Sequence, residues 1–499
     1  MINKELVDIT KKSGIVFLGR VFSTIFGFLF SLAAARLMGA DVYGKLMYVT
    51  VIITMLSLVT KLGLTQGLVQ FISRLTENNR IEERNSIISF SFLLVSVFSI
   101  ILSVILFIFS DFIALNIFNN QELASLLKVM SPILILLSLI ELTPGIFRGL
   151  KIVKYQVLGR DLIQSFIRLI MVLILGYLGY KIYGLVAAFY LSMAFSLLYL
   201  FYKLYDLNLF GKIKCKFITS YKEILIFSAP LLISSILHYS VSKIDIFMIG
   251  YFLNTSSVGI YTVALKIGTL TNFLLFSINS MFAPNITTLY YNNQMVKLEK
   301  LYQVITKWVL GINLSVFFLF IILSKEIMNV FGTEFIIGWI ALILITAGQV
   351  VNAGVGSAGL INVMTGYPKS ELYVSIIVFV INVTLNYFLI PIYGIEGAAF
   401  ASLISIGVMN LLRLYILYNR LEILPYNKKY LHVIYSAIIA FIIGYIINSY
   451  IDLHYLLHIL VIGFIFTAID IFANWQFGLE EDDIMILNKI KEKLLKNKK

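Results

Sequence analysis

The apolar residues of this chain come in long runs that short polar segments separate. A helix that crosses a lipid bilayer needs about 20 mainly apolar residues, and fourteen runs reach or approach that length. They lie at 14–38, 46–71, 86–110, 123–147, 157–179, 182–202, 223–250, 258–283, 302–323, 336–362, 371–391, 394–418, 430–449 and 454–474. The pattern predicts an all-α integral membrane protein with 14 transmembrane helices.

The composition indicates that lipid is the main solvent of the chain. Hydrophobic residues make up 60% of the 499 positions, charged residues 13%, and the mean hydropathy is +0.94. Soluble domains use roughly one-quarter charged residues, so a water-soluble core cannot hide this much apolar surface. The first run, 14–38, exceeds the roughly 7–15 apolar residues of a signal peptide, and we expect it to remain as a helix.

The distribution of Lys and Arg predicts the orientation in the membrane. If the N-terminus is cytoplasmic, the inner segments hold 28 of these residues, and the outer loops hold only Lys45, Lys181 and Lys325. Cytoplasmic loops collect Lys and Arg, so the asymmetry favours an even number of spans, with both termini on the cytoplasmic side of the cell membrane. Because the net charge of +13 is spread over short loops, it does not form a nucleic-acid-binding face.

Two pairs of similar segments indicate an internal repeat. Gly44 follows the first span and Gly259 follows the seventh, 215 residues apart, and the pair Tyr183-Gly184 resembles Tyr393-Gly394, 210 residues apart. Similar offsets at equivalent spans predict parallel repeats. The predicted organisation is two six-helix repeats, then helices 13 and 14, then a cytoplasmic basic tail, at 1–205, 206–420, 421–475 and 476–499.

Several cations lie within the predicted spans and mark a candidate binding site. A charged side chain at membrane depth costs at least about 2.5–3.5 kcal/mol, so it normally faces protein or a wet cavity. Arg20 shares a helix face with Ser23 and Thr24, and Lys61 shares one with Thr54. We predict a cationic cavity that binds an anionic substrate and leaves these cations unpaired; structural ion pairs or contacts with lipid headgroups are the alternative. The candidate substrate-binding residues are Arg20, Lys61, Lys243 and Lys266.

Other polar residues within the spans are candidates for ion coupling or for the lining of the cavity. They are Asp245, His238, Asn272 and Glu141. Glu141 precedes Pro144 by three residues, and we expect a helix kink there. Asp161 and Arg168 are seven residues apart, which places them on one helix face and predicts a structural charge network.

Sequence motifs argue against catalysis and against a bound metal. The chain contains no GxxxxGK[ST] or HExxH motif, and Cys215 is the only cysteine, so neither a nucleotide-binding loop nor a cysteine-based metal site is predicted. Asp452, His454 and His458 are the nearest approach to a metal-ligand set, and we do not favour it. We expect a protein that is not an enzyme and has no cofactor.

Three motifs resemble those of a known family. They are Ala-Arg-Leu-Met-Gly-Ala-Asp-Val-Tyr-Gly at 35–44, Gly63-Leu64, and Ile-Pro-Ile-Tyr-Gly-Ile-Glu-Gly-Ala-Ala at 390–399. Together with the plan of six, six and two helices, they resemble the polysaccharide biosynthesis flippases of the multidrug/oligosaccharidyl-lipid/polysaccharide exporter superfamily. The resemblance covers about residues 5–475.

The resemblance implies a function. A family member moves a polyprenyl-phosphate-linked or polyprenyl-pyrophosphate-linked oligosaccharide from the inner to the outer face by alternating access, with coupling to Na⁺ or H⁺. The implied partners are this lipid-linked substrate, membrane lipids, and glycosyltransferases or a polymerase of the same pathway. Two alternatives stay open: a cation-coupled drug antiporter of the same superfamily, and a membrane-embedded glycosyltransferase or polymerase.

Overall fold

The computed structural model describes residues 2–117, 120–427, 430–451 and 453–476. In these ranges the regular secondary structure is helical, as the sequence predicts. The packing divides the chain into two compact units, Met1–Thr262 and Val263–Lys499. Asp452 and nearly all of the predicted tail at 476–499 lie outside the described residues.

The first unit contains ten complete α-helices and the beginning of another. A π-helical segment, Val157–Ile163, directly precedes α8. The α-helices are α1 (Ile2–Thr60), α2 (Leu64–Glu77), α3 (Ile81–Ile108), α4 (Ser110–Phe112), α5 (Glu122–Met130), α6 (Ile133–Gly149), α7 (Val153–Gln156), α8 (Gln164–Tyr177), α9 (Lys181–Asp206), α10 (Ile218–Phe252) and the first part of α11 (Thr255–Gly268).

The second unit begins within α11 and extends to the C-terminus. Its α-helices are α12 (Asn272–Tyr291), α13 (Met295–Asn329), α14 (Trp339–Val355), α15 (Ala358–Met364), α16 (Pro368–Leu421), α17 (Tyr430–Asn448) and α18 (Tyr455–Gln476). Helices α17 and α18 pack on α13 through a core that includes Ile322, Ala440 and Phe466. Ser315 on α13 also donates a hydrogen bond of 2.8 Å to Asp470 on α18.

Among the described residues, ten helical stretches are long and apolar enough to cross a membrane, or eleven if the bent pair α5 and α6 forms one span. The all-helical membrane fold is confirmed. The number of candidate spans, ten or eleven, is smaller than the fourteen transmembrane helices that the sequence predicts. Two of the ten stretches contain 43 and 54 residues. Each is interrupted at a glycine with non-helical backbone angles, Gly39 (φ 80°) and Gly394 (φ 60°), a conformation that glycine adopts without steric cost.

The bend that the structure shows in this region lies before the position of the predicted kink, Pro144, and the kink itself stays a prediction. Helix α6 continues through Pro144, and the bend of 49° lies between α5 and α6, where Pro132 begins the new helix. Proline is well tolerated at a helix start, because the N–H that it lacks has no intrahelical partner there. Gly145 serves close packing, since a Cβ atom at this position would lie 2.3 Å from the Thr65 carbonyl oxygen.

The glycine-rich tenth span is interrupted near its C-terminal end. Helix α14 ends at Val355, Gly356 has φ 63°, and α15 starts again at Ala358. The Tyr302 hydroxyl donates to the Val355 carbonyl at 2.6 Å, so a side chain satisfies an acceptor that the end of the helix exposes.

The compact units divide at Thr262 and Val263, whereas the repeats are predicted to meet at 205 and 206. The boundary at 262 and 263 is defined by packing, and the boundary at 205 and 206 is defined by similar sequence segments, so the two describe different properties of the chain. The repeat limits stay a prediction.

Candidate functional site

Two interruptions of the α-helices in the first unit hold charged residues and lie inside predicted spans, 46–71 and 157–179. The turn at 61–63 separates α1 from α2, and the π-helical segment Val157–Ile163 contains Arg160 and Asp161. Non-helical backbone at membrane depth is tolerated where it is buried in protein or lines a cavity, and short π-helical segments are frequent at functional sites. These interruptions therefore mark the candidate site.

The turn at 61–63 positions Lys61. Leu62 and Gly63 have φ of 49° and 73°, and a Cβ atom on Gly63 would lie 2.2 Å from the Ser228 carbonyl oxygen of α10. Glycine thus allows α10 to pack directly on the turn. The Lys61 side chain is buried, and its Nζ lies 3.8 Å from Glu141 Oε2.

Glu141 on α6 lies between Lys61 and Arg160. Arg160 Nε donates to Glu141 Oε1 at 2.7 Å, and Arg160 Nη2 lies 2.7 Å from the same oxygen. Arg160 Nη1 is also 3.8 Å from Asp161. The carboxylate offsets the cost of placing two cations away from water, because a charged group at this depth is stable mainly when it is paired.

Two further arginines complete the cluster. Arg148 Nε donates to Gln156 Oε1 at 3.1 Å, and Arg20 interacts electrostatically with Arg148 and Asp161. We define the basic cluster as four cations and two carboxylates: Arg20, Lys61, Arg148, Arg160, Glu141 and Asp161. The four cations outnumber the two carboxylates, so the basic cluster has a net positive formal charge, which we call its positive surplus.

A cavity of about 220 Å³ adjoins the basic cluster. Lys61, Glu141, Arg148 and Arg160 line it, together with Thr65 and Gln66. Arg148 is exposed, and a guanidinium presents a planar fork that matches phosphate or carboxylate oxygens. The arrangement can bind an anionic group without the need to ionise any residue.

The structure brings together three of the predicted site residues, Arg20, Lys61 and Glu141. Lys61 was expected to be unpaired, and this is wrong because Glu141 on α6 reaches it. Arg148 and Arg160 were counted among the 28 cations of the inner segments and were thus missed. The signal that could have found them is Glu141 itself, since a carboxylate within a span requires a nearby cation.

Three predicted residues lie elsewhere in the first unit, on α10. Asp245 is 5% exposed and accepts a hydrogen bond of 2.8 Å from the Tyr261 hydroxyl. Lys243 is half-buried, two residues earlier on α10, and His238 is exposed. Their functional roles stay predictions.

The two remaining predicted residues belong to the second unit. Lys266 is half-buried on α11. Asn272 begins α12 after a 3₁₀ turn, Thr269–Thr271, and its Oδ1 accepts a hydrogen bond of 3.4 Å from Asn352. Their roles also stay predictions.

The predicted network between Asp161 and Arg168 is wrong. Asp161 faces Arg160, and the Arg168 guanidinium lies 4.1 Å from the ring centre of Phe189. A π-helix has more residues per turn than an α-helix, so the seven-residue spacing no longer places the two side chains on one face.

In the part of the chain that the structure describes, no group of three or more His, Cys, Asp or Glu residues could hold a metal ion. His454 and His458 are described there, and His458 Nε2 lies 2.7 Å from Asn448 Oδ1. That contact gives this histidine a structural partner.

Two family profiles match the sequence. The profile of the polysaccharide biosynthesis protein family matches residues 9–289, which is more than half of the chain. The profile of the MatE family matches residues 230–388.

The chain is similar in sequence to a probable flippase and to an uncharacterised membrane protein. It is 29% identical to the probable low-salt glycan biosynthesis flippase Agl15 of Haloferax volcanii over 181 residues, which are 36% of this chain and 38% of that relative. It is 24% identical to the uncharacterised membrane protein MJ1068 of Methanocaldococcus jannaschii over 475 residues, covering 89% of this chain and 90% of the relative. The similarity to Agl15 thus spans less than half of that protein.

Solved structures of transporters share the fold. The lipid II flippase MurJ in an inward closed conformation superposes with a TM-score of 0.74 at 16% identity, covering 95% of this chain and 99% of that one. An inward-facing multidrug resistance transporter of the MATE family gives 0.64 at 18% identity, covering 82% and 98%. The family profile, the flippase relatives and this fold agree. Because the profile of the polysaccharide biosynthesis protein family covers more than half of the sequence, the chain belongs to that family.

Proposed function

We propose that the protein moves a polyprenyl-phosphate-linked or polyprenyl-pyrophosphate-linked oligosaccharide from the cytoplasmic to the outer face of the cell membrane by alternating access. The observation that carries this proposal is the positive surplus of the basic cluster beside its cavity. The flippase relative Agl15 supports a glycan substrate. The lipid tail stays in the bilayer, and the cluster binds the phosphate.

The charge of the cluster favours this substrate over a cationic drug. A cation would meet four positive side chains and two carboxylates that already have cationic partners. A phosphate instead accepts charge-assisted hydrogen bonds, each worth about 1.5–3 kcal/mol. The drug antiporter alternative therefore requires a different binding site.

The proposal includes fourteen spans with both termini in the cytoplasm. The interruptions at Gly39 and Gly394 support two hairpins in place of two single helices, and the bent pair α5–α6 and the stretch 157–177 each support one more span. The single thiol, Cys215, is then on the inner side. An impermeant maleimide should label it in inverted vesicles and not in intact cells; labelling from outside overturns this topology.

The proposal of parallel repeats is supported by a reciprocal contact within the first unit. A Cβ atom on Gly44 would lie 1.7 Å from the Thr255 carbonyl oxygen, and one on Gly259 would lie 2.2 Å from the Ala40 carbonyl oxygen. Reciprocal contacts between equivalent residues are the mark of a two-fold relation. The two glycines are the pair whose motifs are similar in sequence.

Coupling to Na⁺ or H⁺ is proposed at Asp245. It is a buried carboxylate with a hydroxyl donor, Tyr261, whereas Glu141 is engaged by Arg160 and Lys61. Transport down the gradient of the substrate itself, maintained by later glycosyltransferases or a polymerase, needs no coupling. If an imposed Na⁺ or pH gradient changes the flipping rate of the Asp245→Asn variant as much as that of the wild type, Asp245 is not the coupling site.

The test of the function is translocation by the purified full chain in proteoliposomes. A fluorescent polyprenyl-pyrophosphate-linked oligosaccharide is placed in both leaflets, and an impermeant reagent that modifies its sugar reports the fraction that has crossed. We expect Arg20→Ala and Lys61→Ala to slow crossing roughly 10-fold or more, because each removes a charged phosphate donor. Lys222→Ala changes an exposed lysine of α10 and is the matched control. With this variant, the lipid-linked oligosaccharide should cross at the wild-type rate.

The outcomes separate the alternatives. Translocation that is equal in wild type, Arg20→Ala and Lys61→Ala contradicts the anion site. Absence of translocation together with exchange of a cationic drug indicates an antiporter. In a strain without the gene, accumulation of the lipid-linked oligosaccharide in the inner leaflet supports the flippase.

A further inference from the structure

A second cavity, of about 240 Å³, lies within the first unit among α1, α6, α8 and α9. Its polar lining comprises Thr50, Thr54, Glu141, Gln164, Ser165 and Arg168. Glu141 also lines the cavity of the basic cluster, so the two cavities are neighbours. The proposed flippase function does not use this second space, which we name the Arg168 cavity.

The Arg168 guanidinium has few hydrogen-bond acceptors. It lies against the rings of Phe189 and Phe30, at 4.1 Å and 5.7 Å from their centres. Ser192 Oγ is 3.5 Å from Nε, at the limit of a hydrogen bond, and the Gln164 side-chain oxygen accepts from Nη2 at 2.8 Å when its amide is oriented to suit both neighbours. Arginine carries five N–H donors, so three have no acceptor among the described residues.

Arg168 also forms no ion pair with any described residue, and Glu141, the carboxylate of this cavity, is paired with Arg160 and Lys61. Among the residues that the structure describes, no carboxylate oxygen lies within 4.0 Å of its guanidinium nitrogens. Asp161, the acid that the sequence places nearest, faces Arg160. The two aromatic rings stabilise the cation, yet they offer no lone pairs to its remaining N–H groups. An ion of opposite charge would supply both the missing charge and the missing acceptors.

The neighbouring hydroxyl groups do not donate hydrogen bonds into the cavity, so Arg168 has to supply them. Thr50 and Thr54 donate to the carbonyl oxygens of Leu46 and Thr50, each at 2.7 Å, and Ser165 donates to the Asp161 carbonyl at 2.6 Å. Their hydrogens are therefore occupied. A single donor group, the Arg168 guanidinium, then serves this cavity, which suits a small monovalent anion.

We propose that the Arg168 cavity binds a halide ion, coordinated by the guanidinium of Arg168. The site is separate from the basic cluster, so the folded protein contains a bound anion in addition to the proposed substrate. The ion neutralises Arg168 within the helix packing of the first unit. It should therefore stabilise the fold in the absence of any lipid-linked substrate, because a ligand that binds only the native state raises its stability.

The test uses the full chain, purified in detergent with sodium gluconate as the only salt. Replacing gluconate by chloride at constant Na⁺ should raise the unfolding temperature by roughly 2–4 °C with saturation, and radioactive chloride should bind at about one ion per chain. Arg168→Met should lose both effects. Arg168→Lys keeps the charge without the planar fork, so it should retain binding that is about 10-fold weaker.

Matched variants separate this site from other cations. Arg80→Met changes an exposed arginine that pairs with Glu83 at the start of α3, and Arg160→Gln changes the basic cluster; both should keep the chloride effect of the wild type. Chloride binding that is equal in Arg168→Met and wild type, or absent from wild type, overturns the proposal.

A crystal of the wild type grown in bromide gives a test that does not depend on the stability of any variant. An anomalous peak beside the Arg168 guanidinium supports the proposal. A bromide peak only at the basic cluster, or only at the protein surface, contradicts it. None of these results changes the expectation for glycan translocation, so the two proposals can fail separately.

Discussion

The first and second units stabilise their buried polar groups by different means. In the first unit, four cations and two carboxylates meet where the helices are interrupted, and the charges do not cancel. In the second unit, Arg413 forms a closed pair with Glu371, with N–O distances of 2.6–3.2 Å. Most other described polar contacts between helices there are neutral, such as Ser357 with Asn279 at 2.6 Å.

This difference teaches that a membrane helix bundle can hold arginine in two ways. Arg413 and Glu371 satisfy each other, and their pair needs nothing further to be stable. Arg160 shares Glu141 with Lys61, so the first unit retains positive charge that a substrate can use. We therefore expect substitutions in the first unit to change transport more than stability, and substitutions in the second unit to do the opposite.

The largest expected effect separates Arg160 from Arg413. Arg160→Gln removes a charge-assisted phosphate donor worth about 1.5–3 kcal/mol and should slow glycan translocation roughly 10–100-fold. Arg413→Gln leaves Glu371 without its partner and should lower the free energy of unfolding by about 3 kcal/mol, at the low end for a broken buried pair. Translocation in proteoliposomes and denaturation in detergent measure the two effects.

The comparison between the units fails if these two variants behave alike. Equal losses of translocation at equal folded fraction would show that Arg413 also serves the substrate. The double substitution Arg413→Gln with Glu371→Gln is the control, because it removes both charges and should recover much of the lost stability.

An intermediate effect is expected where helices of the first unit approach most closely. Gly44→Ala places a methyl group 1.7 Å from the Thr255 carbonyl oxygen, and such overpacking typically costs about 1–3 kcal/mol. Gly27→Ala is the matched control in α1, because nothing lies within 4 Å of its added Cβ. It should leave stability unchanged or raise it by up to about 1 kcal/mol through helix propensity.

Unfolding temperatures of the two glycine variants decide this prediction. If Gly44→Ala is as stable as Gly27→Ala, the helices at Gly44 and Gly259 are not in close contact in the folded protein. A stable Gly44→Ala variant that has lost translocation would indicate instead that the contact between the helices at Gly44 and Gly259 opens and closes during transport.

The smallest effect is expected at a neutral contact of the second unit. Ser357→Ala removes the hydrogen bond to Asn279 and should cost about 1 kcal/mol of unfolding free energy, with translocation at the wild-type rate. Ser449→Ala, at an exposed position, is the control and should stay within about 0.5 kcal/mol of wild type. Slower translocation in Ser357→Ala would show that neutral contacts of the second unit also take part in transport.

The sequence alone is enough to establish the helical membrane class and the family motifs, and it places Arg20 and Lys61 within predicted spans. These properties depend on local composition and on the cost of charge in lipid, which apply wherever the residue lies in the fold. The presence of a carboxylate at 141 was equally visible. Its partners were not, because Lys61 approaches it from the turn at 61–63 and Arg160 from the π-helical segment, and tertiary packing decides both contacts.

Only the tertiary structure decided where the helices are interrupted and which charges meet. A bend of 49° lies at Pro132, and α6 continues through Pro144, where the Thr143 hydroxyl donates at 2.8 Å to the Ile140 carbonyl that proline leaves without an N–H partner. The π-helical segment turns Asp161 toward Arg160 and leaves Arg168 against Phe189. Helical periodicity assumes a constant number of residues per turn. A π-helical segment changes that number, so residues before and after it no longer share the helix faces that α-helical spacing predicts.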